Sequence, residues 1–260
     1  MGEPAPLGLV CQGKSIKYAL PTVDEPVSKA PGRIAPMFDA IARRYDLLNH
    51  LLSAGIDRRW RKRAIRALAL TGAERVFDLC TGTGDLALAA ARARPPAARI
   101  VGIDFAGAML TVGREKIRRA GLDRRITLVR GDAMRIPLRD SAIDAVTIGF
   151  GIRNVEDIAA ACREVRRILK PGGRLAILEF AVPTTPGISA VYLWYLRRVL
   201  PCIGRAISRH SAAYGYLPAS IDAFATPDEF VTIVRQAGFA DVSAVSLTFG
   251  SVCLYVARRD

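Results

Sequence analysis

The chain is 260 residues long and 51% hydrophobic, enough for one large domain or a domain with an appendage, and its 38 lysines and arginines against 24 acids leave a formal charge of +14. That charge favours an anionic partner without selecting among nucleic acid, anionic lipid and an acidic ligand. Five widely separated cysteines with no CxxC pair, and only His50 and His210, exclude a disulfide framework and a zinc site.

Residues 1–36 open on MGEPAPLGLV and lack the basic, apolar and small-residue succession of a signal peptide, so they are expected to form a flexible tail. No run of 18 uncharged apolar residues is present to span a membrane. Residues 37–70 repeat apolar positions at three- and four-residue steps, interrupted at Gly55, which predicts helices able to fold over a site as a lid. Strands are then expected at 75–80, 99–104, 126–130, 143–149 and 173–180, with helices at 85–94, 107–120 and 156–169 between them. Such alternation requires crossover connections and a parallel sheet covered on both faces. KPGG at 170–173 stops the third of these helices.

Beyond the fifth strand the pattern changes. Residues 183–225, rich in aromatic and small residues, are expected to form a helical insertion at the site of a second substrate. A helix then starts at Thr226 or Pro227, with acids in its first turn, and ends at Gly238. Residues 241–248 and 251–257 complete the chain as a terminal hairpin in the same sheet, giving a single domain over 37–260.

The chemistry is expected at the carboxyl ends of the strands, where open parallel sheets bind ligands. Asp78-Leu-Cys-Thr-Gly82-Thr83-Gly84 follows the first strand, with glycines that permit close backbone approach. It lacks the Gly-Lys-Ser/Thr of a phosphate loop, and GxGxxG fails because Leu86 and Ala87 follow. Asp104 ends the second strand, placed to accept ribose hydroxyls, and Asp132 ends the third, placed to accept from an adenine amino group. Three carboxylates after successive strands suit a nucleoside without phosphate better than a nucleotide.

VFDLCTGTGD, GIDF, GDAMRIP and REVRRILKPGGRL resemble the motif series of the seven-stranded S-adenosylmethionine-dependent methyltransferases. The resemblance implies a Rossmann-like α/β fold with a mostly parallel seven-stranded sheet and an antiparallel C-terminal strand. It also implies S-adenosyl-L-methionine as cofactor and S-adenosyl-L-homocysteine as product. The loop Asp78–Gly84 would surround the methionine moiety, with Gly82, Thr83 and Gly84 in it and Thr83 in contact; Asp104 would hold the ribose, and Asp132 with Ala133 would line the adenine.

MFDAIARRYDLLNHLLSAGIDRRWR, REKI, VTIGFGIRNV, KPGGRLAILEF and AYGYLPASI resemble, more narrowly, the menaquinone and ubiquinone biosynthesis C-methyltransferases. Asp57, Ala181 and Phe249 depart from the residues usual there, which are histidine, serine and glycine. The resemblance implies methylation of a prenylated quinol at ring carbon, demethylmenaquinol in first place, with the ubiquinone-pathway benzoquinol or another small aromatic or lipid as alternatives. It puts Arg153 and Asn154 at the acceptor. Arg153 cannot serve as an ordinary base, so the expected role is stabilising a forming phenolate or orienting a water, with Asn154 fixing the second oxygen. Tyr45 is expected to contact the acceptor ring and Asp46 to pair with a basic residue.

Tyr192, Trp194 and Tyr195 beside Arg197, Arg198 and Arg205 suit a membrane-surface helix or an apolar lid. The expectation is a cytoplasmic enzyme touching the inner face of the cell membrane transiently, with a homodimer left open. No metal and no nucleic acid are expected: Asn/Asp-Pro-Pro-Tyr/Phe is missing after the fourth strand, where GFGIRN stands, and no RNA-binding module accompanies the core.

Overall fold

The computed structural model describes residues 29, 31–199 and 211–260. Seven strands form one sheet: β1 (Arg75–Leu79), β2 (Arg99–Asp104), β3 (Ile126–Arg130), β4 (Ile143–Gly149), β5 (Leu169–Phe180), β6 (Ala240–Leu247) and β7 (Val252–Arg258). Their spatial order is β3-β2-β1-β4-β5-β7-β6. Neighbours from β3 to β5 are parallel, and β7 runs antiparallel to both β5 and β6.

Both faces of the sheet are buried, and side-chain alternation divides them. On one face Phe77, Val146, Ile177 and Tyr255 pack with α5 (Ile158–Ile168) and α8 (Pro227–Gln236) through Val165 and Phe230. On the other, Val76, Ile100, Ala145, Leu178 and Leu254 pack with α2 (Asp57–Ala67), α3 (Asp85–Ala91) and α4 (Gly107–Arg119). The expected strands agree with this closely. One difference lies at KPGG, which belongs to β5 rather than to a loop before it: β5 pairs with β4 at Leu169, and the pairing shifts register before resuming at Arg174. Gly172, at φ +76°, takes the backbone through that irregularity.

Local signals fix the helix ends. Asp157 caps α5 by accepting from the Ala160 amide at 2.8 Å. Thr226 and Glu229 form a reciprocal capping box at α8. Helix α1 spans Pro31–Leu52 and thus takes in residues 31–36, the end of the segment expected as a tail; residues 1–28 and 30 lie outside the described residues. The insertion contains α6 (Pro186–Trp194), a π-helical turn (Tyr195–Val199) and α7 (Ser211–Asp222). Arg205 and His210 lie outside the described residues. No described helix is long and apolar enough to cross a membrane.

Candidate active site

The strand order reverses between β1 and β4, opening a crevice at their carboxyl ends. A cleft of about 550 Å³ lies there, lined by Lys29, Leu79, Cys80, Ile103, Asp104, Phe105, Gly131, Asp132, Ala133, Met134, Asn154, Val155 and Glu156. It therefore draws on the ends of four successive strands.

Asp104 is held rigidly. Its Oδ2 accepts from the Gly82 amide at 2.8 Å and its Oδ1 from the Ala106 amide at 2.9 Å. Burial nevertheless raises its pKa, against these amide bonds. Asp132 accepts from the Met134 amide at 2.8 Å in a tight turn, with Ala133 buried beside it. Each carboxylate keeps lone pairs beyond these bonds, and both residues line the cleft.

Asp78 sits behind the cleft rather than in its lining. It is buried, with Thr81 Oγ1 donating to Oδ2 and Thr147 Oγ1 to Oδ1, both at 2.6 Å. Burial pushes its pKa up to about 6 despite those bonds. Its carboxylate pins the glycine turn to β4. Gly82 and Gly84 have φ of +55° and +80°, the left-handed region that a Cβ disfavours, and Gly84 starts α3 from it. Their amides are already donated, to Asp104 and to the Thr81 carbonyl. Gly102 in β2 is required by close approach, since a Cβ there would lie 2.7 Å from Thr81 Oγ1 and from Leu128.

Thr83 is tied to the lid. Its Oγ1 donates to Asp46 Oδ1 at 2.5 Å, while Lys116 Nζ donates to Asp46 Oδ2 at 2.5 Å and to Asp85 Oδ1 at 2.6 Å. The expected basic partner of Asp46 is thus Lys116, from the REKI stretch of α4. Asp85 also meets Arg61 at 3.3 Å, and Arg61 pairs with buried Asp57, which contacts His50 Nδ1 at 2.7 Å. His50 therefore faces an acid on the side of α2. Tyr45 packs with Ala42, Ala106 and Met109, edge-on to Phe38, and burial raises its pKa against a hydrogen bond with Asn49.

Arg153 and Asn154 form a 3-10 turn just past β4. Arg153 is buried, and its Nη1 donates to Glu179 Oε1 at 2.6 Å and to the Phe150 carbonyl at 2.5 Å. Its Nε reaches Ser220 Oγ at 3.3 Å, and the guanidinium lies 5.3 Å from the Phe180 ring centroid. Asn154, which lines the cleft, accepts at Oδ1 from the Tyr216 hydroxyl at 2.9 Å. Sequence reasoning missed Glu179, Ser220, Tyr216 and Lys29. Glu179 had a legible signal, an acid in the otherwise apolar AILEF, and Tyr216 and Ser220 stand in AYGYLPASI, whose resemblance marks the stretch without assigning them partners; Lys29 has none.

The cleft fits a phosphate-free nucleoside. Two fixed carboxylates face it, an exposed third, Glu156, borders it, and no Gly-Lys-Ser/Thr turn is present to cradle phosphate. Among the described residues, no group of three or more His, Cys, Asp and Glu is arranged to hold a metal.

The family model described as the ubiE/COQ5 methyltransferase family matches residues 27–259. The ubiquinone/menaquinone biosynthesis C-methyltransferase UbiE of Geobacter sp. (strain M21) is 47% identical over 233 residues, covering 90% of this chain and 99% of its own. The demethylmenaquinone methyltransferase of Thermus thermophilus is 46% identical, covering 86% of this chain and 100% of its own. Among solved structures, a putative S-adenosyl-L-methionine-dependent methyltransferase of Methanococcus maripaludis superposes with a TM-score of 0.57 at 23% identity, covering 91% of this chain and 95% of its own, which shows the shared fold.

Proposed function

Because the chain belongs to the ubiE/COQ5 methyltransferase family and is a C-methyltransferase by that membership, we propose that it transfers a methyl group from S-adenosylmethionine to a ring carbon of a prenylated quinol, demethylmenaquinol first among the candidates. The observation that carries the proposal is the juxtaposition, at one crevice, of fixed Asp104 and Asp132 with Asn154 and the buried Arg153–Glu179 pair. When bound, S-adenosylmethionine supplies an electrophilic methyl group on a sulfonium.

The chain's own work is then alignment and charge placement. Asp104 accepts from ribose hydroxyls, and Asp132 with Ala133 takes the adenine edge. Thr83 and the glycine turn border the methionine end, and Asp78 holds that turn against β4 without reaching the ligand. Asn154, oriented by Tyr216, donates to an acceptor oxygen. Arg153 positions this segment, and Tyr45 borders the ring from the lid. Leu48, Leu196 and Ile221, with Leu52, Tyr192, Tyr195 and Leu217 around them, form a packed apolar cluster between α1, the π turn and α7, which a prenyl chain would have to part in order to be buried there. Each methylene-sized unit buried there contributes about 0.8 kcal/mol.

The test is a methyl-transfer assay presenting reduced demethylmenaquinone and its benzoquinone counterpart side by side. Faster turnover of the naphthoquinol is expected, and turnover of neither overturns the assignment. For the cofactor half, Asp104→Ala should weaken S-adenosylhomocysteine binding about 10- to 150-fold by calorimetry. Equal affinity in variant and parent would remove Asp104 from the site.

A further inference from the structure

We propose that Lys29 is a catalytic residue of the acceptor half, its ammonium holding the oxyanion that develops on the quinol ring; this rests on the quinol assignment and deepens it. Among the described residues, the charged groups of the cleft lining are Asp104, Asp132, Glu156 and Lys29, so Lys29 is the cation there among three acids. Acids suit hydroxyls, an amino group and a sulfonium. They repel a phenolate.

Arg153, the residue that the sequence nominates for that task, is buried and committed through Nη1 and Nε to the protein itself. Its Nη1 is shared between Glu179 and the Phe150 carbonyl and its Nε is turned to Ser220, with Glu179 fully buried against it. The pair is internally neutral, so at a distance it acts as a dipole rather than as a charge. Lys29 lines the same cleft as Asn154, the residue after Arg153, and its charge is attracted by Glu179 and repelled by Arg153. The three groups together carry one net positive charge, and the mobile share of it is an ammonium with rotatable donors on a flexible stem. Burial lowers the Lys29 pKa, opposed by Glu179, which marks an ammonium partly stripped of water and ready to exchange it for an anionic oxygen.

In the step itself the quinol hydroxyl proton passes to water and its oxygen is held by Lys29. The ring carbon's electron pair forms the new carbon–methyl bond as the methyl–sulfur bond breaks and sulfur keeps that pair. The proton on the methylated ring carbon then moves to the oxygen and restores the quinol.

The full chain, saturated with S-adenosylmethionine, is assayed on reduced demethylmenaquinone for the parent, Lys29→Met and Lys29→Arg. With an active parent, Lys29→Met should lose about 100-fold in kcat, with KM and S-adenosylhomocysteine affinity each within about threefold. Lys29→Arg keeps the charge and should retain at least about a tenth of parental kcat, which excludes a folding artefact. Lys29→Met turning over within about threefold of the parent overturns the assignment. So does a loss of S-adenosylhomocysteine affinity of about tenfold or more with kcat intact, which would move Lys29 to the ligand's carboxylate. A parent inactive on both quinols is a different result, and it overturns the acceptor assignment together with the role built on it.

Discussion

Arg153 shows how a residue's chemistry depends on a partner far away in sequence. Removing it strands the Glu179 carboxylate in a site with no exposure. Arg153→Ala should therefore cost about 3–5 kcal/mol of stability, measured by denaturant unfolding. The double variant Arg153→Met with Glu179→Leu should regain most of that stability yet stay about 100-fold down in kcat, because the segment carrying Asn154 loses its anchor. A double variant with parental kcat would reduce the pair to scaffolding. Asp78 yields a pH prediction. Its folded pKa of about 6 lies above the ordinary 3.8, so the folded chain binds this proton more tightly than the unfolded chain. Its contribution is then fully present below about pH 4 and lost as pH rises through 6, amounting to about 3 kcal/mol. Asp78→Asn should show that loss removed when its stability is compared with the parent's between pH 4 and 7. Parallel curves for the two proteins would contradict the shift.

At the scale of elements, α1 is attached to the core by two acids on one face. Asp39 accepts from the Ala108 amide at 2.8 Å, and Asp46 accepts from Thr83 and Lys116. The first bond matters because Ala106, the N-cap of α4, has no side-chain acceptor of its own. Between the two acids, Ala42 and Tyr45 pack on Ala106 and Met109. The lid is thus bonded directly to the glycine turn and to the start of α4, the two elements that frame Asp104. Asp46→Ala should leave the global melting temperature within a few degrees while raising hydrogen exchange in α1 and speeding S-adenosylhomocysteine release several-fold in stopped flow. Unchanged exchange and release would show that Asp39 and the apolar contacts hold the lid alone. A similar local logic explains Phe249, which stands where the resembling family usually carries glycine. Its φ is +57° and its side chain is 79% exposed, so the backbone asks for glycine and packing gives nothing back.

The whole molecule combines a charge of +14 with large apolar side chains left exposed on α1 and α6, among them Leu47, Leu51, Val191 and Trp194. Arg197 and Arg198 lie exposed in the π turn that follows. A quinol with a prenyl tail resides in lipid, so we propose that this helical end meets the membrane surface during exchange. Co-sedimentation with vesicles should rise with anionic lipid content and fall with added salt, and Trp194→Ala should weaken it. Saturable RNA binding at physiological salt without vesicle binding would assign the charge elsewhere.

The amino-acid sequence by itself determined the sheet. Runs such as IVGID and IDAVTIG, buried on both faces and separated by amphipathic helices, have no other stable packing, and their boundaries could be read almost to the residue. It also determined which acids end the strands, because the parallel run from β3 to β5 puts those strands' carboxyl ends at one edge. Tertiary structure alone decided what those groups face. The expected contact of Thr83 is preceded by a bond to Asp46; Asp78 proves to hold the turn from behind; Arg153 answers to Glu179, and Asn154 to Tyr216. The Thr83–Asp46 and Asn154–Tyr216 pairings have no sequence period, since they join elements brought together only when the lid and the insertion fold over the crevice, while Arg153 and Glu179 meet because β4 and β5 are neighbours in the sheet. Burial then completes the assignment. A charge that is cheap in water must find a partner once the sheet and its helices exclude solvent, and which partner stands within reach is a property of the packed chain.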